Sequence, residues 1–176
     1  PDCAAVAVGA SPAALEIPGA DLPYVYPVTS ALMNVEEIGN RVVIIGAGQT
    51  GVELGIWLCR LGKQVTILSR SGNFMKGAYH NAAVMARRIL EQCGAELIFN
   101  AVVTEIREDG VRMSRGEEWR DLPADTVVNA AGFVPNRALY DAVKNRVPEV
   151  YLLGDAAEPQ NVYHAVHAAY ETAGRL

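Results

Sequence analysis

Cysteine is scarce in this sequence, with only Cys3, Cys59 and Cys93 among 176 residues. The three are widely spaced, and no two of them form a Cys-x-x-Cys motif. A disulfide scaffold needs paired cysteines and a structural zinc site needs clustered ligands, so the sequence predicts neither within this chain. We therefore expect three buried thiols in a reducing compartment, the cytoplasm, and no redox-active disulfide.

Positive charge and long apolar runs are also lacking. Lysine and arginine total 15 against 20 acidic residues, and the net charge of −5 argues against general nucleic-acid binding. No apolar run reaches the roughly eighteen residues of a membrane span. The apolar first ten residues carry no basic segment and do not resemble a signal peptide. Since 51% of the residues are apolar, a packed globular core is expected.

Residues 41–70 carry the most informative pattern. Residues 41–45 form a β-branched apolar run, which is typical of a buried parallel strand. A G-x-G-x-x-G motif follows, apolar residues then recur at helical spacing, and residues 64–68 form a second apolar run. Because the motif lies between a strand and a helix, this stretch predicts a β-α-β unit that binds a dinucleotide.

Each glycine of the motif has a predicted role. Gly46 allows the tight turn out of the strand, Gly48 leaves room for a pyrophosphate against the backbone, and Gly51 allows close helix–strand packing. Free N–H groups and the positive end of the helix dipole then face the phosphate. We also place Gln49 and Glu53 among the cofactor-binding residues. A tight turn that binds no nucleotide is the alternative interpretation.

The end of the second strand favours one nicotinamide cofactor over the other. An NAD site usually has Asp or Glu there, to accept hydrogen bonds from the ribose hydroxyls. This chain has Ser69 and Arg70 instead. Serine and arginine can bind the 2′-phosphate of NADPH, with Arg70 supplying charge-assisted hydrogen bonds. We therefore expect NADP rather than NAD, although Arg70 as a solvated surface residue is the alternative.

The remaining patterns extend an α/β fold with a Rossmann-like parallel sheet and a small antiparallel excursion. Further strands are expected at residues 2–9, 95–99, 125–130 and 149–153, and antiparallel ones at residues 102–107, 111–115 and 118–120. Helices are expected at residues 29–38, capped by Thr29 or Ser30, and at residues 78–93, 137–145 and 161–176. Residues 13–27 are rich in proline and are predicted to be a loop.

His164 and His167 lie on one predicted helix face, at a spacing that permits joint metal binding. No further ligand at a suitable spacing supports a site, so we predict ordinary helix histidines and no bound metal.

Five motifs together resemble the pyridine nucleotide-disulfide oxidoreductase family, the flavoproteins with two dinucleotide-binding domains. They are residues 7–12, the glycine motif with Glu53, Ser69-Arg70, residues 130–136 and residues 151–155. The helix sequence after Gly154-Asp155 is most similar to that of the NADH:flavin oxidoreductase, 2-enoate reductase and dienoyl-CoA reductase group. It includes Val166-His167 and Tyr170-Glu171. The resemblance extends over the whole chain.

The resemblance implies that the chain is part of a longer protein. Residues 1–36 and 131–176 would then be incomplete parts of a flavin domain, and residues 37–130 the NAD(P)H domain inserted between them. FAD would be a cofactor of the intact protein. The expected partners are a nicotinamide nucleotide and the remaining flavin and acceptor domains, with a homo-oligomer as a further possibility.

The resemblance also assigns three residues. Glu53 matches a glutamate near the nicotinamide, although an exposed helix carboxylate explains it as well. Gly132 matches a glycine where the chain crosses between domains, or else belongs to a tight turn. Asp155 matches an aspartate that binds the flavin ribityl chain, or else caps the last helix.

The expected function is that of an NAD(P)H-binding portion of a flavin-dependent oxidoreductase. Such a protein passes hydride from NAD(P)H to FAD and on to an acceptor such as an enoate or enoyl-CoA, and the cofactors carry the chemistry. No side chain of this chain is predicted to be catalytic. The alternative is a non-catalytic module that binds ADP or NAD(P) within a larger redox complex.

Overall fold

A computed structural model describes all residues, 1–176, of the chain. Its twelve strands are, in order, β1 Cys3–Val6, β2 Ala10–Pro12, β3 Val25–Pro27, β4 Arg41–Ile45, β5 Gln64–Ser69, β6 Glu96–Phe99, β7 Val102–Arg107, β8 Gly110–Arg115, β9 Glu118–Pro123, β10 Thr126–Asn129, β11 Phe133–Pro135 and β12 Glu149–Leu152. Its α-helices are α1 Val28–Met33, α2 Gln49–Arg60, α3 His80–Gln92, α4 Ala138–Val143 and α5 Val162–Ala173. None of them combines the length and apolar character needed to cross a bilayer.

The chain divides into two compact units. One consists of Pro1–Ala13 and Phe133–Leu176, and the other of Ala14–Gly132. We call them the discontinuous unit and the continuous unit. The first division therefore falls after Ala13, so residues 14–36 are part of the continuous unit rather than of the segment to which the sequence analysis assigned them.

The continuous unit is built on a five-stranded parallel sheet in the order β3-β10-β4-β5-β6. Pairing of β4 with β5 joins Arg41 to Gln64 at one end and Ile45 to Leu68 at the other. A separate antiparallel sheet has the order β7-β8-β9. The predicted α/β class, with a parallel sheet and a small antiparallel excursion, is confirmed.

Alternation of side chains along the strands places a different layer on each face of the parallel sheet. Ile44 and Ile67 face α2, and their side chains lie beside its Gly55. Val43 and Leu68 face the other way, into a core shared with Val103 and other residues of the antiparallel sheet. The continuous unit therefore has three layers, with the parallel sheet in the middle and apolar side chains on both of its faces.

Residues 14–24 cover part of this second core. Leu15, Ile17 and Leu22 pack against it. The Tyr24 hydroxyl donates hydrogen bonds to the carbonyl oxygens of Arg107 and Gly110, at the turn between β7 and β8. Burial of the Tyr24 hydroxyl raises its pKa, so the tyrosine remains a neutral donor.

The discontinuous unit has two small sheets. β1 pairs in parallel with β12, with Cys3 opposite Glu149 and Val6 opposite Leu152. β2 pairs antiparallel with β11. No sequence pattern predicted the β2–β11 pair, because three-residue strands are too short to show an alternation.

Two expectations about the region before β4 are wrong. Residues 13–27 are not entirely loop, since β3 joins the edge of the parallel sheet beside β10. An edge strand tolerates Pro27, because its missing N–H is not needed by a second neighbour. The helix expected at residues 29–38 is α1 followed by a 3-10 turn, and neither Thr29 nor Ser30 is its cap, since the N-cap is Pro27.

The start of β4 is held by a salt bridge that gives a pH-dependent prediction. Asp125 accepts hydrogen bonds from the Arg41 backbone N–H at 2.8 Å and from Arg41 Nε at 3.0 Å. The hydrogen bonds from the Arg41 side chain hold the pKa of Asp125 below its ordinary value. The pair is exposed, so its contribution to stability is small and sensitive to salt.

We expect Asp125→Asn to lower the stability slightly at neutral pH. Since the pKa of Asp125 is lower in the folded state, its contribution is complete above the unfolded pKa of about 4 and is lost as pH falls through the folded value. The difference between wild type and variant should therefore shrink in acid. Urea unfolding at neutral pH and at about pH 3 measures it. Asp21→Asn, an exposed carboxylate without a salt bridge, should show no such convergence.

Candidate nucleotide-binding site

The glycine loop leaves β4 through a backbone conformation that only glycine adopts easily. Gly46 has φ of +123°, and a Cβ added to it would lie 2.1 Å from the Ala130 carbonyl oxygen. The Gly46 N–H donates to the Leu68 carbonyl at 2.8 Å. The tight turn predicted at Gly46 is therefore present, and it lies directly against the end of β10.

The third glycine of the motif serves close packing. A Cβ on Gly51 would lie 2.4 Å from the Gly46 carbonyl oxygen and 2.9 Å from Ala130 Cβ. The first turn of α2 thus rests on the loop that precedes it and on β10. This contact fixes the direction in which the N-terminus of α2 points.

The second glycine faces open space. Gly48 is the N-cap of α2, is exposed, and has no atom within 4 Å of the place where a Cβ would be. No side chain caps the helix, and its first backbone hydrogen bond runs from the Val52 N–H to the Gly48 carbonyl. The N–H groups of the first turn therefore lack protein acceptors and can bind a phosphate.

This helix terminus lies at the point where the strand order reverses. From β4 the chain proceeds to β5 and β6 on one side, whereas β10 pairs on the other side of β4. In open parallel sheets, ligands bind outside the carboxyl ends of the strands at such a position. The carboxyl ends here are lined by Gly46, Ser69 and Ala130, which follow or end their strands.

Ser69 and Arg70 have different surroundings. Ser69 is 6% exposed, and its hydroxyl donates to the Asn73 carbonyl at 3.2 Å. Arg70 is exposed, and no salt bridge or hydrogen bond of its side chain is present. Arg70 is therefore available to an anionic ligand, whereas Ser69 would first have to release its bond within the loop.

Residues 71–77 include contacts that sequence reasoning missed. Met75 is buried, has φ of +49°, and donates its N–H to the Ala47 carbonyl at 2.8 Å. The Arg87 guanidinium lies 5.1 Å from the ring centre of Phe74 and 5.2 Å from that of Phe99. These contacts tie the loop after β5 to the glycine loop and to α3. No local sequence pattern predicts these contacts, because each of them joins residues that are distant in sequence.

Gln49 and Glu53 lie on one face of α2. Gln49 Nε2 donates to Glu53 Oε1 at 3.0 Å, and both side chains are exposed. The spacing of four residues explains this contact in an α-helix. Both side chains point to solvent and remain available to a ligand that approaches the first two turns.

Gly132 and Asp155 lie in different units. Gly132 follows β10 with φ of +134°, and an added Cβ would meet nothing within 4 Å. Asp155 is exposed in a 3-10 turn, and its Oδ1 accepts from the Gln160 N–H at 3.1 Å. The alternative that Asp155 caps the last helix is wrong, since Asn161 is the N-cap of α5.

Histidine and cysteine residues offer no metal site. No group of three potential ligands is close enough to hold an ion. His164 pairs through Nδ1 with Asn161 Oδ1 at 2.7 Å, and the His167 ring lies 4.1 Å from that of Tyr163. The prediction of three buried thiols is wrong for Cys93, which is exposed, and for Cys3, which is half-buried.

Residues 2–173 match the family described as pyridine nucleotide-disulphide oxidoreductase. The chain belongs to this family. The match includes residues of both the continuous and the discontinuous unit, so both units are part of the family domain. Members of the family use FAD and a nicotinamide nucleotide, and the resemblance predicted from the motifs is confirmed.

Several reductases are similar to this family member. Cinnamate reductase of Clostridium sporogenes is 30% identical over 174 residues, which covers 97% of this chain and 26% of the relative. The assimilatory nitrate reductase electron transfer subunit of Bacillus subtilis is 31% identical, covering 94% of this chain and 24% of the relative. The chain thus spans about a quarter of the length of these relatives.

A solved structure has the same fold. 2-Naphthoyl-CoA reductase in complex with 2-naphthoyl-CoA superposes with a TM-score of 0.92 at 29% sequence identity. The superposition covers 100% of this chain and 27% of that one. The fold of this flavoprotein family is therefore present along the full described chain.

Proposed function

We propose that this chain is the NAD(P)H-binding portion of a flavin-dependent oxidoreductase, which passes hydride from NAD(P)H to FAD and on to an acceptor such as an enoate or enoyl-CoA. The observation that carries the proposal is the open helix terminus at Gly48. Its N–H groups lack protein acceptors, no side chain covers them, and they lie where the strand order reverses. That combination fits a pyrophosphate.

In this proposal, each residue near the glycine loop has a distinct task. Gly48 and Gln49 direct backbone N–H groups at the pyrophosphate, while Gly46 and Gly51 hold the helix terminus in place. Arg70 binds the 2′-phosphate that distinguishes NADPH from NADH. Glu53, one turn further along α2, is placed toward the nicotinamide. When bound, the nicotinamide supplies the hydride, so the residues serve in binding and orientation.

Asp155 is proposed to contact the flavin, and Gly132, in the other unit, is proposed to let the backbone approach a cofactor. Asp155 is exposed, and only its Oδ1 accepts a hydrogen bond within the chain, so Oδ2 can accept one from a ribityl hydroxyl. Gly132 has no side chain and is open where its Cβ would be, which permits close approach of a cofactor. We propose that residues 131–176 and the segment at the start of the chain belong to the flavin-binding part of the protein.

The acceptor class is proposed from the relatives. Cinnamate is an enoate, and 2-naphthoyl-CoA is an unsaturated CoA thioester, and both are named for reductases similar to this chain. Both compounds carry a carbonyl that is conjugated to unsaturated carbon, so one class of acceptor covers them. Because the chain spans about a quarter of these relatives, we assign reduction of the acceptor to other domains of a longer protein.

A second candidate is a non-catalytic module that binds ADP or NAD(P). The hydrogen bond from Gln49 to Glu53 favours it, because the proposed nicotinamide-facing carboxylate already has a partner on its own helix. This candidate predicts that ADP binds as tightly as the intact dinucleotide. A hydride-transferring domain instead gains affinity from the nicotinamide half.

Calorimetric titration of the chain with NADPH, NADH and ADP tests the proposal. We expect NADPH to bind more tightly than NADH or ADP. Arg70→Ala should weaken NADPH binding about tenfold and leave NADH binding unchanged, because one charge-assisted contact to the 2′-phosphate is removed.

Arg60→Ala is the matched control. Arg60 is also exposed, but it ends α2, far along the helix from the glycine loop. It removes the same charge and should leave both affinities unchanged. Equal loss of NADPH and NADH affinity in Arg70→Ala would contradict the 2′-phosphate assignment. Equal affinity for ADP and NADPH would favour the binding module.

A further inference from the structure

Two cysteines that are far apart in sequence meet at one end of the helix layer. Cys59 lies in the last turn of α2, and Cys93 is the C-cap residue of α3. The two helices pack side by side, and each is followed by a glycine turn that leads into a strand. Both cysteines line a cleft of about 380 Å³, together with Lys63, Thr66 and Glu96.

The cleft is separate from the nucleotide-binding site. Gln64 begins β5 and Glu96 begins β6, so the cleft lies at the amino ends of these parallel strands. Gly46 and Ser69 lie at the carboxyl ends. The cysteines therefore take no part in the proposed function of the glycine loop.

The two thiols are neighbours. Both line the same cleft, between the last turn of α2 and the C-cap of α3. Cys59 is 8% exposed, and its burial, with the neighbouring Cys93, raises the pKa of its thiol to about 11. Cys59 therefore stays protonated at neutral pH. Cys93 is exposed, so it is the sulfur that a reagent in solvent reaches.

We propose that Cys59 and Cys93 form a dithiol that a hydroperoxide oxidises to an intramolecular disulfide. The arrangement has the two parts that such chemistry needs, an accessible sulfur that reacts first and a protected sulfur that resolves the product. The sequence analysis predicted no redox-active disulfide, because the cysteines form no local motif. Helix packing provides the proximity instead.

The reaction balances with one equivalent of hydroperoxide. The Cys93 thiol gives up its proton as its sulfur attacks the peroxide, the O–O bond breaks, and a sulfenic acid forms. The departing oxygen takes that proton and leaves as water or an alcohol. The Cys59 sulfur then attacks the Cys93 sulfur, the S–O bond breaks, and the S–S bond forms. The departing hydroxide takes the proton from Cys59 and leaves as water. Two electrons pass from the thiols to the peroxide.

Peptide mapping of the full chain tests the proposal. The reduced chain is treated with hydrogen peroxide, alkylated and digested without reductant. We expect a cross-linked peptide pair that contains Cys59 and Cys93, lighter than the two reduced peptides by two hydrogen atoms. Treatment with a thiol reductant should restore the separate peptides. Cys3, in the discontinuous unit, should stay a free thiol during peroxide treatment and be recovered in its alkylated form.

Variants separate the two sulfurs. Cys59→Ser should leave Cys93 as a sulfenic acid that a dimedone probe captures, since the resolving thiol is absent. Cys93→Ser should strongly reduce oxidation at Cys59, because Cys59 is buried. Cys3→Ser should form the same cross-link as wild type.

Three results would overturn the proposal. They are a wild-type chain whose Cys93 oxidises without a cross-link, a cross-link that contains Cys3, and a cross-link found only between two chains. Because each is read on the wild-type chain, the outcome does not depend on the folding of any variant.

Discussion

Gly46→Ala is expected to destabilise the continuous unit by about 3 kcal/mol or more. The cost has two parts. A side chain at φ of +123° is strained by about 1–2 kcal/mol, and the added Cβ would lie 2.1 Å from the Ala130 carbonyl oxygen, far inside contact distance. The Ala130 carbonyl belongs to the backbone and cannot rotate away. The turn and the end of β10 must therefore separate.

Urea unfolding at neutral pH measures this loss, and Gly48→Ala is its control. Both variants add the same single carbon to the same loop. Gly48 has φ of −71° and open space around the added atom, so we expect its substitution to change stability by at most about 1 kcal/mol. Similar losses in the two variants would show that the contact with Ala130 does not set the geometry of the turn.

Gly48→Asp should abolish nucleotide binding while the fold is retained. Aspartate is a favoured N-cap residue, and its carboxylate accepts hydrogen bonds from the first turn of a helix. That position is also the one proposed for the pyrophosphate. The substitution therefore occupies the free N–H groups and adds a repulsive charge, and we expect NADPH and NADH to bind at least about 100-fold more weakly.

Stability and affinity must both be measured for this variant. Thermal unfolding should show a stability equal to or above that of wild type, which excludes misfolding as the cause. Gly48→Asn caps the helix in the same way without the charge, so it should lose less affinity than Gly48→Asp. If Gly48→Asp binds dinucleotide as wild type does, the phosphate lies elsewhere, and the proposed function loses its main support.

The central β-α-β region was predictable because its signals are local. A β-branched run, three glycines and a helical repeat place β4 and β5 within one residue of their observed bounds, and α2 within three. The positions of Gly46 and Gly51 follow from the same pattern. Resemblance to a family supplied the expectations of a flavin domain and of roles for Gly132 and Asp155, and membership of the family itself is confirmed.

Features made by distant residues were not predictable. β3 forms because its backbone pairs with the free edge of β10, although the proline in β3 favours a loop. The bond from Met75 to Ala47 and the cleft shared by Cys59 and Cys93 bring together segments that are too far apart in sequence for a local pattern to connect them. The hydrogen bond from Ser69 to the Asn73 carbonyl was missed for a different reason. A serine hydroxyl can donate to or accept from many groups, so the sequence does not identify its partner.

The pairing of β1 with β12 sets the order in which the chain can acquire its structure on the ribosome. The continuous unit, Ala14–Gly132, is complete once a single uninterrupted stretch has been synthesised. Cys3–Val6 emerges before the continuous unit but has to wait for Glu149–Leu152, which follows that unit, before its backbone groups find their partners. An apolar strand that waits unpaired is prone to aggregate, and the cost of closing so long a loop slows its pairing. A strand that is translated before the continuous unit is therefore paired only after that unit is complete.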